Sequence, residues 1–152
     1  MNKTELAQFL KNYLQDCEVT EGRQFAEVSL SPIKLHAIAK ELKENSSLSL
    51  DFLFCLSGVD YGKDLGVVYH LRSTKYGHSL VLKTRTSDRI NPEIDSVTDI
   101  WETADYHERE VYDLLGIKFR NHPDLRRLFL DKSWGFPLRK DYVDDINIVT
   151  KK

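Results

Sequence analysis

The stretch that most constrains this chain is residues 108–142, EREVYDLLGIKFRNHPDLRRLFLDKSWGFPLRKDY. It opens as a helix, and from Gly116 onward neither a 3.6-residue nor a two-residue repeat is sustained. Aperiodic segments are usually polar, and disordered ones are poor in large apolar side chains. This one carries Phe119, Leu125, Leu128, Phe129, Leu130, Trp134, Phe136 and Leu138. An aperiodic, aromatic-rich, basic segment is expected to lie extended against a surface, either its own domain or a partner. The chain then divides into a body, 1–116, and an extended docking tail, 117–152.

The charge pattern sharpens that reading. Residues 87–113 hold nine acids and two bases, whereas 118–141 hold seven bases and three acids. An acidic helix followed by a basic tail invites pairing. Within the helix, Arg109 has Asp105 and Asp113 four residues to either side, pairs worth about 0.2–0.5 kcal/mol each. Trp101, Ala104, Glu108, Val111 and Leu115 fall on one helical stripe. That stripe sets a carboxylate among apolar neighbours, where an unpaired charge is costly. Glu108 is therefore expected to meet the guanidinium fork of Arg126, Arg127 or Arg139; the alternative is a carboxylate that reaches solvent at the edge of the stripe.

Upstream, the pattern predicts an α+β domain. Thr4 can cap a first helix carrying Leu6, Phe9, Leu10, Tyr13 and Leu14, and FAEVSL (25–30) reads as a strand. Ser31-Pro32 starts a second helix with Leu35, Ile38, Ala39 and Leu42 on one face. LSLDFLFCLSGV (48–59) is apolar enough for a central strand covered on both faces, with Cys55 in the core. VVYHLRST (67–74) and HSLVLKTR (78–85) alternate as a meander. Ser96 and Asp99 resemble a capping box for the third helix, and Gly116 is a natural stop for it. The expected fold is a small, mostly antiparallel four-stranded sheet with helices packed on one face, followed by the tail.

Composition excludes several classes. A chain of 152 residues with 41% hydrophobic and 30% charged residues is one soluble-type domain. A net charge of −2 favours neither nucleic acid nor lipid, and no apolar run is long enough to span a bilayer. The N-terminal residues lack the layout of a secretory or transit signal. Two cysteines fit a reducing compartment and cannot alone hold an iron–sulfur cluster. No nucleotide-binding glycine motif is present, and the five histidines lack metal-ligand spacing. His70 and His78 could face each other across the hairpin, and His122-Pro123 is expected to fix a turn. A stand-alone enzyme using His107 with nearby carboxylates, and a single-strand RNA module reading bases through the tail's aromatics, are the rival classes. No catalytic, cofactor-binding or metal-binding residue is expected.

The blocks EREVYDLLGI, FRNHPDLRR and PLRKDY, in that order, resemble the signature of the 30 kDa-type (C-type) subunit family of proton-pumping NADH:quinone oxidoreductase, respiratory complex I. The positions that match are Glu108, Arg109, Glu110, Tyr112, Asp113, Gly116, His122, Pro123, Arg126, Arg127, Pro137, Arg139, Lys140 and Asp141. The resemblance implies a non-catalytic structural subunit of the hydrophilic peripheral arm, its tail wrapping the large quinone-site (D-type) subunit beside an iron–sulfur subunit. Some bacteria fuse the C-type and D-type chains, which fits an obligate interface. FMN, iron–sulfur clusters and quinone are then expected in partner subunits, and attachment at the cytoplasmic side of the inner membrane through the complex. The same signature fits the equivalent subunit of a membrane-bound hydrogenase or a related ferredoxin-linked complex.

Overall fold

The structure is a computed structural model that describes residues 1–146; residues 147–152 of the expected tail lie outside the described residues. Three helices, α1 (Lys3–Tyr13), α2 (Leu35–Glu44) and α3 (Ala104–Leu115), accompany seven strands among the described residues. These are β1 (Glu18–Glu21), β2 (Ala26–Leu30), β3 (Phe52–Asp60), β4 (Leu65–Arg72), β5 (Ser79–Thr86), β6 (Glu93–Asp95) and β7 (Lys118–Arg120). The α+β class stands. The sheet has five strands rather than four, in the order β1-β2-β5-β4-β3, and β6 and β7 form a separate parallel pair. The main sheet is mixed, since β2 runs parallel to β5 and the other neighbours are antiparallel.

The helix-side face follows the two-residue alternation. Ala26, Val28 and Leu30 from β2, Val67, Tyr69 and Leu71 from β4, and Leu80 and Leu82 from β5 are all buried in one core with Leu6, Leu10, Leu35, Ala39 and Leu42 of the helices. β1 escapes a sequence reading because EVTE offers a single buried residue, Val19. β6 and β7 are three residues each and exist because α3 returns the chain beside its own entry, Ile94 lying opposite Phe119.

β3 is not a central strand but the edge of the sheet. Its register slips between Leu53 and Cys55, so Leu53 and Leu56, three apart, both face the core. A bulge of this kind inserts one unpaired residue and bends the strand. Phe52 and Phe54 are left 44% and 40% exposed on the face away from the helices. Cys55 is only half-buried there, with its Sγ 3.6 Å from Ser57 Oγ, so it is not a core residue.

Local starts also differ from expectation. Asn2, not Thr4, caps α1, in a capping box with Glu5. Ser31 makes no side-chain capping bond, and Pro32 opens a single 3-10 turn before α2. His78 Nε2 lies 2.8 Å from Leu48 O, whereas His70 pairs in register with Val81, so the two histidines do not face each other.

Candidate functional site: the junction of α3 and the strap

The stripe predicted for the third helix holds: Trp101, Ala104, Glu108, Val111 and Leu115 are all buried. The helix starts only at Ala104, so Ser96 and Asp99 are not its capping box. Ser96 serves Glu108 instead. Its hydroxyl donates to Glu108 Oε2 at 2.7 Å, and the Val97 N–H donates to Oε1 at 2.8 Å. No arginine among the described residues reaches this carboxylate, contrary to expectation; the nearest basic atom is His122 Nε2, 3.9 Å away. Burial pushes the Glu108 carboxyl up to about 7, the Ser96 and Val97 hydrogen bonds pull against it, and nearby Asp105 and Asp99 add to the rise.

The reason is geometric. Each helical residue turns by about 100°, so Arg109 and Asp113, one turn apart, share a side that Glu108 does not. That side meets residues 126–130. Arg109 is buried, and its Nε and Nη2 donate to the carbonyls of Arg126 and Arg127, each at 3.3 Å. The ion pairs expected between Arg109 and its i±4 acids are therefore not its main contacts.

Asp113 is the anchor. Its Oδ2 accepts the backbone N–H of Leu128 (3.2 Å), Phe129 (2.7 Å) and Leu130 (3.0 Å), and its Oδ1 accepts from Arg127 Nη1 at 3.1 Å. Burial alone would raise this carboxyl, but the hydrogen bonds from Phe129, Leu130, Arg127 and Leu128 outweigh it and hold it below its ordinary value. Three amide donors on one carboxylate strongly favour the charged form. Arg127 then reaches on to the carbonyls of Trp134 (2.8 Å) and Gly135 (3.1 Å) and lies 5.2 Å from the Phe136 ring centroid.

Gly116 ends α3 in the left-handed conformation, φ 73°, as its position predicts. A Cβ there would fall 2.6 Å from Phe136 Cε2, so the glycine serves both the turn and the seat of that ring. Phe136 also meets Tyr112 at 6.4 Å between centroids. Arg139, 5.0 Å from the same ring, donates to the carbonyls of Leu115 (2.7 Å) and Arg89 (2.9 Å). Leu138 N–H donates to Leu114 O at 3.1 Å, and Pro137 beside it is half-buried.

A second anchor was not foreseen. Asp60, at the end of β3, takes Arg89 in a two-pronged pair (2.7 and 2.9 Å), and accepts the N–H of Gly62 (2.7 Å) and of Lys140 (2.9 Å). The Arg89 guanidinium holds this carboxyl well below the usual carboxylate range. Arg89 also pairs with Asp141 at 3.0 Å. The only sequence signal was an acid closing an apolar strand, which reads equally as a turn residue.

The His122 turn forms. Its side chain is fully buried, Nδ1 accepts from Asp124 N–H at 3.0 Å, and Nε2 faces Asp105 O at 3.1 Å. Asn121 supplies the left-handed residue before it, φ 64°, and Pro123 is exposed. The strap 117–142 is thus bound to the body along its length. Three of the signature arginines, Arg109, Arg127 and Arg139, hold main-chain carbonyls. Lys132 and Lys140 stay exposed, with Phe129 68% and Leu138 59% exposed beside them. Arg126 keeps its guanidinium on the surface, where Nε donates to Asp124 at 2.8 Å. Glu110 is half-buried at a small cavity under Leu138.

Among the described residues, no three His, Cys, Asp or Glu side chains gather as metal ligands would. No described helix is long and apolar enough to cross a membrane.

Comparison with known proteins agrees with this architecture. The family model described as "Respiratory-chain NADH dehydrogenase, 30 Kd subunit" matches residues 28–146. The C/D subunit of NADH-quinone oxidoreductase from Phocaeicola vulgatus is 50% identical over 116 residues, covering 75% of this chain and 22% of that protein. The C subunit from Chloroherpeton thalassium is 50% identical over 109 residues (70% of this chain, 45% of that one). The C subunit from Roseiflexus castenholzii is 41% identical over 126 residues (80% and 72%). The chain therefore spans under a quarter of the C/D relatives it matches. Among solved structures, the membrane-bound sulfane sulfur reductase, an archaeal respiratory membrane complex, contains a chain that superposes with a TM-score of 0.79 at 23% identity, over 96% of this chain and 88% of that one. At that identity the likeness is one of fold.

Proposed function

This chain belongs to the 30 kDa subunit family of the respiratory-chain NADH dehydrogenase, and from that membership we propose that it is a structural subunit of a proton-translocating NADH:quinone oxidoreductase. In this reading it carries out no redox step itself. It sits in the peripheral arm on the cytoplasmic side of the inner membrane, attached through the complex, and grips the large quinone-site (D-type) subunit and a neighbouring iron–sulfur subunit. FMN, clusters and quinone are held by other subunits of the complex.

The observation that carries the proposal is the strap. Its backbone is fixed from inside by Asp113, Arg127 and Asp60, while Phe129 and Leu138 stand 68% and 59% exposed. Large apolar side chains on a rigid, well-bonded backbone fit a preformed contact surface, since little further ordering is needed on binding. Relatives named as C/D subunits carry the matching region within a much longer chain, which supports the large D-type subunit as the neighbour. The test is co-purification of the tagged chain from its native host. The large subunit should accompany the wild type and be lost with the pair Phe129→Asp and Leu138→Asp; full retention by a folded double variant would overturn the proposal. The partner's own sequence separates this complex from a hydrogenase, whose large subunit keeps metal-binding cysteines.

A further inference from the structure

β3 ends the main sheet, so one of its sides pairs with β4 and the other with no described strand. The first part of that free side is closed, because Thr103 Oγ donates to Leu53 O at 2.9 Å and the bulge follows. From Cys55 to Val59 the backbone makes no hydrogen bond among the described residues other than those to β4. The stretch CLSGV holds no charge and no proline, two of the devices by which edge strands avoid pairing. Beside it lies a cavity of about 170 Å³ lined by Ser57 and Gly58 of the strand, Val111 and Leu114 of α3, and Leu138 of the strap. Gly58 brings strand and helix close together: a Cβ there would lie 2.4 Å from Leu115 Cδ1. Glu110 stands at the same cavity without an ion pair among the described residues.

We infer that the free edge of β3, with the cavity beside it, receives an extended segment of the large subunit as a sixth strand, one apolar side chain entering the cavity and a basic one meeting Glu110. Strand addition draws affinity from the main chain and specificity from pockets for alternate side chains, and both parts are present. The occupant is not a second copy. A ladder over these residues is under about 20 Å long and one strand wide, on the order of 100 Å², against the roughly 800 Å² per partner of a stable interface, so two free copies would not hold together by it. Such a contact holds only when another contact already fixes the partner nearby. The strap is that contact, and Leu138 belongs to both surfaces, so this inference rests on the proposed function.

The test is hydrogen–deuterium exchange on the full chain, alone and in the complex purified with its large subunit. Alternate amides within 55–59 should slow at least about tenfold in the complex, along with those of 128–138. Leu114→Lys should abolish the slowing at 55–59 and leave that at 128–138. Slowing at 128–138 with none at 55–59 overturns the strand addition and leaves the proposed function standing. Slowing at 55–59 in the isolated chain that grows with its concentration assigns the edge to a second copy and overturns the inference. Failure to isolate any complex with the large subunit overturns both.

Discussion

The carboxylate of Asp113, in the last turn of α3, lies 2.7 Å from the backbone nitrogen of Phe129, sixteen positions further along the chain. One side chain thereby holds three consecutive amides of an aperiodic segment. Asp113→Asn keeps the volume but removes the charge and one acceptor. Loss of about 2–3 kcal/mol is expected by denaturant titration, with new protease cleavage between 128 and 135.

Asp113 also sets an acid limit. Its folded-state pKa is depressed, so the stabilisation it gives is present above the unfolded carboxylate value and disappears as pH falls through the folded one. An acid titration of stability should show this loss in the wild type, and Asp113→Asn should flatten it.

Glu108 works in the opposite direction. Its folded pKa is raised from 4.5 to about 7, so the folded state binds a proton that the unfolded state releases. Stability should fall as pH rises across that interval, by on the order of 3 kcal/mol, and level off above it. Glu108→Gln can still accept from one of its two donors, Val97 N–H or the Ser96 hydroxyl, and carries no charge to bury. It should remove the slope and exceed the wild type in stability near about pH 8, read by thermal melts across the range.

Gly116→Ala combines two penalties. The left-handed φ of 73° costs a residue with a Cβ about 1–2 kcal/mol, and the methyl would displace the Phe136 ring. A lower melting temperature with altered Phe136 ring resonances is expected.

Asp60→Asn should release the far end of the strap. Removing one partner of a buried pair costs about 3 kcal/mol, because Arg89 and the Lys140 amide both lose a charged acceptor. Faster amide exchange at 139–142, with α3 unchanged, is the expected signature.

Much of this was legible in the residues. The α3 stripe, its glycine stop and the alternating strands β4 and β5 follow from periodicity, and many of the signature residues converge on one junction. The partners were not legible. Glu108 meets a hydroxyl and an amide, and Arg109, Arg127 and Arg139 meet carbonyls. Nearly every residue carries an amide and all offer a carbonyl, so such pairings leave no mark in the side-chain pattern that charge counting reads. β3 misled for a related reason. Phe52 and Phe54 made the run look doubly covered, whereas the bulge and the edge position leave them half-open.

Because Asp113, Asp60, Arg127 and Arg139 clasp main-chain atoms, the course of the strap does not depend on which side chains decorate positions 128–130. Those positions are free to drift in step with a changing neighbour while the scaffold beneath them stays put. Variation among relatives should therefore gather on the outward letters of this segment and spare the four clasps.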